Sequence, residues 1–231
     1  MKKLSILFFA LTLVCFQMTA QGSKTYNLNG FDAISISNSA DVVYSQGPHA
    51  VSVYGSKELI DKLDVSVENS TLKIKSKKGK SGNWYGKEGL KFKVSSPNLT
   101  GLAISGSGDF FSESIIDTRK FAISISGSGD VTWKGNITCD EFRVAVSGSG
   151  DIELRGSAQK VSIACTGSGD VDMDEFKTKE AKIVNSGSAD VEIYVSDKIS
   201  VVNSGSGDIE VDGSPDKKSI VNTGSGDIDY K

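Results

Sequence analysis

One short motif, Ser-Gly-Ser-Gly-Asp, recurs along the second half of the chain at an almost constant interval. Thr replaces the first Ser in two copies, and Ala replaces the second Gly in one. The copies end at Asp109, Asp130, Asp151, Asp170, Asp190, Asp208 and Asp227, at intervals of 18 to 21 residues. An outlying copy, Asn38-Ser39-Ala40-Asp41, lies nearer the N-terminus. A fixed period of this length predicts stacked repeats, each of which is one structural unit.

Apolar residues hold the same positions relative to the motif in nearly every repeat. The position seven residues before the aspartate is occupied by Leu102, Ile123, Val144, Ile163, Ile183, Val201 and Ile220. The position one residue after it is occupied by Phe110, Val131, Ile152, Val171, Val191, Ile209 and Ile228. Further apolar positions follow at offsets of two, which indicates one strand entering the motif and another leaving it. The sequence therefore predicts an all-β, single-stranded β-solenoid, similar to a right-handed β-helix, with about 20 residues per coil and about 4.8 Å between coils.

Thirteen of the 25 glycines lie in the seven motifs. We expect these glycines to face inward at a corner of each coil. Glycine at such a corner permits both a positive φ and a close approach between backbones.

The segment before the repeats divides into two parts. Residues 1–20 have the pattern of a secretory signal peptide, because Lys2 and Lys3 precede an apolar run and a small residue, Ala20, stands at the expected cleavage site. Residues 21–100 alternate less regularly and predict a β-rich N-terminal region that caps the solenoid of residues 101–231, with one short helix at Lys57–Leu63. We expect an extracytoplasmic location, in the periplasm, on the outer surface or secreted, and no transmembrane segment after cleavage.

Several short elements of the N-terminal region carry a family resemblance. They are Phe31-x-x-Ile34-x-Ile36, Asp41-Val42, Gln46-Gly47, Val51-x-Val53 and the pair Val65 and Leu72-x-Ile74. With the iterated motif, they make residues 27–230 resemble the bacterial family labelled putative auto-transporter adhesin, head GIN domain. The resemblance implies a secreted, adhesin-like, all-β protein of the kind common in Bacteroidetes, and it brings no catalytic residues.

The seven motif aspartates form one ladder of carboxylates if the coils stack in register. Neighbouring charges would repel by about 0.9 kcal/mol in water, so something must compensate. One explanation is that each aspartate accepts hydrogen bonds from the N–H groups and Ser hydroxyls of its own turn. The other is that Ca²⁺ binds between adjacent coils, with Asp109, Asp130, Asp151, Asp170, Asp190, Asp208 and Asp227 as ligands. We favour the first and expect no cofactor.

The same ladder admits an enzyme, because carboxylates about 5 Å apart have the separation found in retaining glycosidases. The alternative function is therefore a carbohydrate-active enzyme on a β-helix. The ladder is uniform, however, and gives no aspartate the distinct environment that an acid or a base requires. We expect no enzymatic activity. A net charge of −3 also excludes a dedicated nucleic-acid binder, which would be strongly basic.

Polar residues enter one inward column near the C-terminus. Asn185, Asn203 and Asn222 follow apolar residues at the position five before the aspartate, and we expect their stacked amides to hydrogen-bond from coil to coil. Cys165 lies in the same column and Cys139 at another offset. We expect Cys165 to pack as an unpaired small hydrophobe, although an oxidising compartment would permit a disulfide.

A basic stretch around an aromatic pair is the candidate ligand surface. Its residues are Lys77, Lys78, Lys80, Trp84 and Tyr85. It is either a solvated strand face or a site for an anionic glycan or membrane headgroup. We expect a secreted, non-enzymatic adhesin-like or scaffold protein of the cell envelope that binds a glycan or a cell-surface protein. A further alternative is a structural envelope protein that self-assembles, since open strand edges of the C-terminal coil could pair with another copy.

Overall fold

The computed structural model describes residues 21–79 and 89–231, and the predicted signal peptide lies outside the described residues. The described residues form seventeen strands and one short helix. The N-terminal elements are β1 (Gln21–Tyr26), β2 (Ala33–Ile36), β3 (Asp41–Gln46), β4 (Ala50–Ser56), α1 (Lys57–Asp61), β5 (Leu63–Glu68), β6 (Thr71–Ser76) and β7 (Lys91–Ser96). The others are β8 (Gly101–Ile104), β9 (Phe110–Ser112), β10 (Ile116–Ile125), β11 (Val131–Val146), β12 (Ile152–Cys165), β13 (Val171–Asn185), β14 (Val191–Asn203), β15 (Ile209–Asp212), β16 (Lys217–Asn222) and β17 (Ile228–Tyr230).

The repeats stack as parallel coils, which confirms the predicted β-solenoid. We call face A the sheet formed by the segments before each motif, and face B the sheet formed by those after it. In β11 to β14 the segment after one motif continues across a third face, C, to become the segment before the next. Pairing keeps the repeat in register, so that Val144 lies between Ile123 and Ile163.

The inward columns form one hydrophobic core that continues from Phe31 to Val211. Its N-terminal half contains a stack of aromatic rings. The ring of Trp133 lies 5.7 Å from that of Phe110 and 5.5 Å from that of Phe121. Its indole N–H donates to the carbonyl oxygen of Ser114 over 2.8 Å, which satisfies the one polar atom of this buried side chain.

The motif glycines are required by close approach rather than by backbone conformation. A Cβ on Gly127 would overlap the carbonyl oxygen of Gly106, and one on Gly129 would overlap that of Gly108. The expectation of a positive φ in the motif is wrong, since the described glycines with positive φ all lie outside it. They are Gly30, Gly55, Gly79, Gly156 and Gly213. At these glycines, adjacent coils therefore lie closer than a Cβ permits.

The N-terminal region stacks in an order that differs from its order in the chain. β2 and β3 form a coil that pairs in parallel with β8 and β9 on one side and with β6 and β7 on the other. The chain thus passes beyond its own first coil before it returns to continue the solenoid. β5 then pairs antiparallel with β6, β4 with β7, and β1 with β4. These antiparallel strands cover the parallel edge of the stack.

The short helix α1 lies within this cap and ends two residues before the predicted Leu63. The hydroxyl of Ser56 accepts a hydrogen bond from the N–H of Leu59 and so caps its first turn. No helix among residues 21–79 and 89–231 has the length and apolar character needed to cross a membrane.

Candidate binding surfaces

Each aspartate of the ladder from Asp109 to Asp208 accepts a hydrogen bond from the backbone N–H of the aspartate of the next coil. The N–H of Asp151 donates to Oδ1 of Asp130 over 2.9 Å, and the N–H of Asp170 donates to Oδ1 of Asp151 over 2.8 Å. The same bond joins each successive pair from Asp41 to Asp227, at 2.7 to 3.3 Å. The hydrogen bonds expected within each turn are therefore made between coils instead.

A second row of acids runs beside the ladder on the outer surface of face B. Two residues after the motif aspartate, cross-strand pairing aligns Glu153, Asp172, Glu192, Glu210 and Asp229. Burial raises the pKa of Asp172, and the carboxylates of Asp174 and Glu192 raise it further. The two rows line an open groove of about 300 Å³. Among the residues that the structure describes, no three His, Cys, Asp or Glu side chains are grouped to hold a metal ion.

Towards the N-terminal cap, the second row changes from acidic to apolar and basic. Across β7, β3, β9 and β11 the outward residues are Lys93, Val43, Phe111 and Thr132, paired in that order. Tyr54, on β4, pairs with Lys91 beside this row. We call Val43, Tyr54, Lys91, Lys93 and Phe111 the Tyr54 patch.

Apolar side chains are exposed in the Tyr54 patch although the strands beneath them are rigidly paired. Val43 is 43% exposed and Tyr54 is 39% exposed. The ammonium of Lys93 lies 5.4 Å from the centre of the Tyr54 ring, and that of Lys134 lies 5.8 Å from the centre of the Phe111 ring. Lysine ammonium groups therefore lie over both aromatic rings of the patch.

The sequence contained a signal for part of this patch. A strand with one buried face alternates apolar and polar residues, but Val42-Val43-Tyr44 and Phe110-Phe111 place apolar residues consecutively. One member of each run must therefore point to solvent. The position of Tyr54 beside them has no such signal, because it depends on how the cap strand β4 pairs with β7.

The basic stretch predicted as a ligand surface lies only partly within the described residues. Lys77 and Lys78 are exposed, and the ammonium of Lys77 donates to the carbonyl oxygen of Asp61 over 2.6 Å. Lys80, Trp84 and Tyr85 lie outside the described residues. The stretch begins after β6 and returns to β7, whose Lys91 and Lys93 belong to the Tyr54 patch.

The asparagine column makes its hydrogen bonds within a coil, so the predicted bonding from coil to coil is wrong. The amide of Asn203 donates to the carbonyl oxygen of Gly207 over 3.3 Å, and its oxygen accepts from the N–H of Gly205 over 3.2 Å. Asn185 and Asn222 make the same two bonds. Each amide therefore stabilises the glycine-containing corner of its own repeat.

The two cysteines of the repeats are buried and unpaired, as expected for Cys165. Burial raises the pKa of the Cys139 thiol to about 12 and that of the Cys165 thiol to about 11, with smaller contributions from Asp140 and Asp170. The thiols are therefore protonated at neutral pH.

The fold and its outer rows define a class of protein, a capped β-solenoid that presents long flat faces. Within this class, the sequence profile described as "Putative auto-transporter adhesin, head GIN domain" matches residues 30–215. The chain belongs to this family, which confirms the resemblance seen in the sequence.

Solved structures support the same assignment. A "putative adhesin" from Bacteroides fragilis is 25% identical, with a TM-score of 0.86, over 91% of this chain and 97% of that one. A "putative lipid binding protein" from Parabacteroides distasonis is 27% identical, with a TM-score of 0.66, over 90% and 96%. A "putative adhesin" from Parabacteroides merdae, 18% identical with a TM-score of 0.63 over 91% and 96%, shares the fold. No curated protein matches the sequence.

Proposed function

We propose that this protein is a non-enzymatic, adhesin-like binding module of the cell envelope, exported by the signal peptide at residues 1–20. Membership of the adhesin family and the likeness to solved adhesin-like proteins support this role. A solenoid suits it, because regular coils present extended, rigid surfaces.

The Tyr54 patch is the proposed ligand surface, and the exposure of Val43 and Tyr54 is the observation that carries the proposal. Aromatic rings on a flat sheet can stack against the apolar faces of sugar rings. Lys91 and Lys93 provide donors for carboxylate or sulfate groups on the same ligand. The proposed ligand is therefore an anionic glycan chain that lies across the strands of the patch. The basic stretch at Lys77, Lys78, Lys80, Trp84 and Tyr85 is a second candidate site for the same ligand.

Binding of residues 21–231 to acidic polysaccharides, measured by calorimetry, tests this proposal. We expect Tyr54→Ala with Val43→Ser to weaken binding about tenfold or more. The matched control is Val202→Ser, because Val202 is also 39% exposed but lies on face A. Equal loss in both variants, or none in either, would remove the Tyr54 patch as the site.

Two further experiments distinguish the Tyr54 patch from the basic stretch as the site, and a glycan from a lipid headgroup as the ligand. Replacement of Trp84 and Lys80 by Ala identifies the basic stretch as the site if it alone abolishes binding. Vesicles of anionic phospholipid test the other ligand class, since one related structure is described as lipid-binding. Binding to vesicles without binding to polysaccharides would replace the glycan with a lipid headgroup.

The enzyme alternative has its own test. The carboxylates from Asp109 to Asp208 all accept the same inter-coil hydrogen bond, so none of them has the distinct environment of a catalytic acid. We expect that incubation with acidic polysaccharides releases no new reducing ends and no unsaturated products. Release of either, abolished by an Asp151→Asn substitution, would overturn the non-enzymatic assignment.

A further inference from the structure

The last coil of the structure carries a charged residue at a position that is apolar in the five coils before it. Nine residues before the motif aspartate, the inward column contains Phe121, Phe142, Val161, Ala181 and Ile199, all of them buried. Lys218 occupies this position in the last coil and pairs in register with Ile199. A lysine therefore extends the hydrophobic column at the end of the solenoid.

An aromatic ring meets this lysine from the opposite face. Tyr230 stands in register with the buried Val211 of face B, whereas Lys218 belongs to face A. The ammonium of Lys218 lies 3.6 Å from the centre of the Tyr230 ring. The two side chains therefore meet across the end of the last coil, whose strands place them in register with the buried Ile199 and Val211.

The strands around this pair have partners on one side only among the described residues. β16 pairs with β14 and β17 pairs with β15, and no described strand pairs with their other edges. Ile220 is 39% exposed there, although its neighbour in the column, Val201, is fully buried. Open edges with an exposed core would favour pairing with another chain, and an inward-pointing charge is a device by which natural sheets prevent it.

The geometry of the two ends determines how a second copy could approach. At the N-terminal end β4 and β5 already cover β7 and β6, so no parallel edge is open there. Among the described residues, the unpartnered edges of the parallel stack are those of the last coil, where two copies could meet. Such a contact would bring two Lys218 ammonium groups together inside a nonpolar interface, where unpaired charges are strongly disfavoured.

We infer that Lys218, held against Tyr230, closes this end of the solenoid and keeps two copies apart. This inference reverses the self-association expected of the C-terminal coil, because that expectation considered only its open strand edges and not the charge of Lys218. It is independent of the ligand proposed above.

Sedimentation velocity of residues 21–231 over a range of concentrations tests the closure. We expect the unaltered protein to be monomeric and Lys218→Ile to self-associate, with a dissociation constant at least about tenfold lower. Lys218→Met, which keeps the length of the side chain and removes its charge, should do the same. Lys217→Ile is the matched control, since it removes the same charge from the neighbouring outward position, and it should remain monomeric.

Circular dichroism first establishes that each variant is folded. Because two Lys218 variants are made, the test can still be carried out if one of them does not fold. Association of the unaltered protein would overturn the inference. So would folded Lys218 variants that remain monomeric, or a Lys217→Ile variant that associates as strongly as Lys218→Ile.

Discussion

The backbone N–H of Asp170 donates a hydrogen bond to Oδ1 of Asp151, one coil earlier, over 2.8 Å. In the same corner, the N–H of Ile152 donates to the carbonyl oxygen of Asp170 over 2.9 Å. Each aspartate is thus bonded to its neighbour through both its backbone and the neighbouring carboxylate. Like charges can stack at the repeat distance of a sheet because each of them also accepts a charge-assisted hydrogen bond.

Removal of one carboxylate should therefore destabilise the solenoid. Asp151→Ala leaves the N–H of Asp170 without its acceptor, and we expect a loss of about 1 kcal/mol in the free energy of unfolding. Urea denaturation measures this loss. Glu153→Ala is the control, because Glu153 is an exposed acid two residues after Asp151 that accepts no inter-coil N–H, and its effect should stay within about 0.5 kcal/mol. Equal effects of the two substitutions would contradict a structural role for the ladder.

The two glycine positions of the motif should differ in their tolerance of a methyl group. The first is Gly in all seven motifs, whereas the second is Ala at Ala189. A Cβ at Gly148 would overlap backbone atoms of the preceding coil, which cannot move aside as a flexible side chain can. We expect Gly148→Ala to cost about 3 kcal/mol of stability and Gly150→Ala to cost less.

Thermal unfolding of these two variants, with Ser149→Ala between them as the control, checks this order. Ser149 is exposed, so its replacement should change stability by no more than about 0.5 kcal/mol. A Gly150→Ala variant less stable than Gly148→Ala would show that Ala189 depends on local adjustments absent elsewhere in the stack.

The sequence predicted the solenoid well because its coils are stacked in chain order and share one apolar pattern. It did not reveal that β6 and β7 lie beyond β2 and β3. Leu72 and Ile74 pair in parallel with Ile34 and Ile36, yet nothing in an alternating pattern states which strand is the neighbour. The order of stacking is a long-range property that local periodicity does not contain.

The hydrogen-bond partners of the motif aspartates could not be predicted from the sequence either. Both a turn and a neighbouring coil offer N–H groups to an aspartate, and only the distance between coils decides between them. The asparagines show the opposite outcome: Asn203 bonds within its own coil. Only part of the Tyr54 patch could be predicted from the sequence. Val43 and Phe111 interrupt the apolar–polar alternation of their strands, whereas Tyr54 lies beside them because β4 pairs with β7.

Calcium should not stabilise the protein. One oxygen of each ladder carboxylate from Asp109 to Asp208 already accepts an N–H, and Ca²⁺ prefers six to eight oxygen ligands. A site with a dissociation constant 100-fold below the calcium concentration would add about 2.7 kcal/mol, or several degrees in Tm. We expect no change of Tm in millimolar CaCl₂ relative to MgCl₂ at equal ionic strength. A rise specific to calcium, lost in Asp151→Asn, would assign the ladder as a cation site.

The buried thiols should make the fold less stable at alkaline pH. The pKa values of Cys139 and Cys165 rise from an ordinary value of 9.0 to about 12 and about 11, chiefly through burial. The folded state therefore keeps its thiols protonated after the unfolded state has lost those protons. Their contribution to the free energy of unfolding is complete below pH 9 and is lost as the pH rises towards 11 and 12.

The double variant Cys139→Ala with Cys165→Val tests this, because it introduces residues already found in the same columns, Ala158 and Val146. We expect this variant to lose less stability than the unaltered protein between pH 9 and 11 in urea denaturation. The raised pKa of Tyr44 gives both proteins a common alkaline slope, and identical profiles would show that the thiols do not titrate with unfolding.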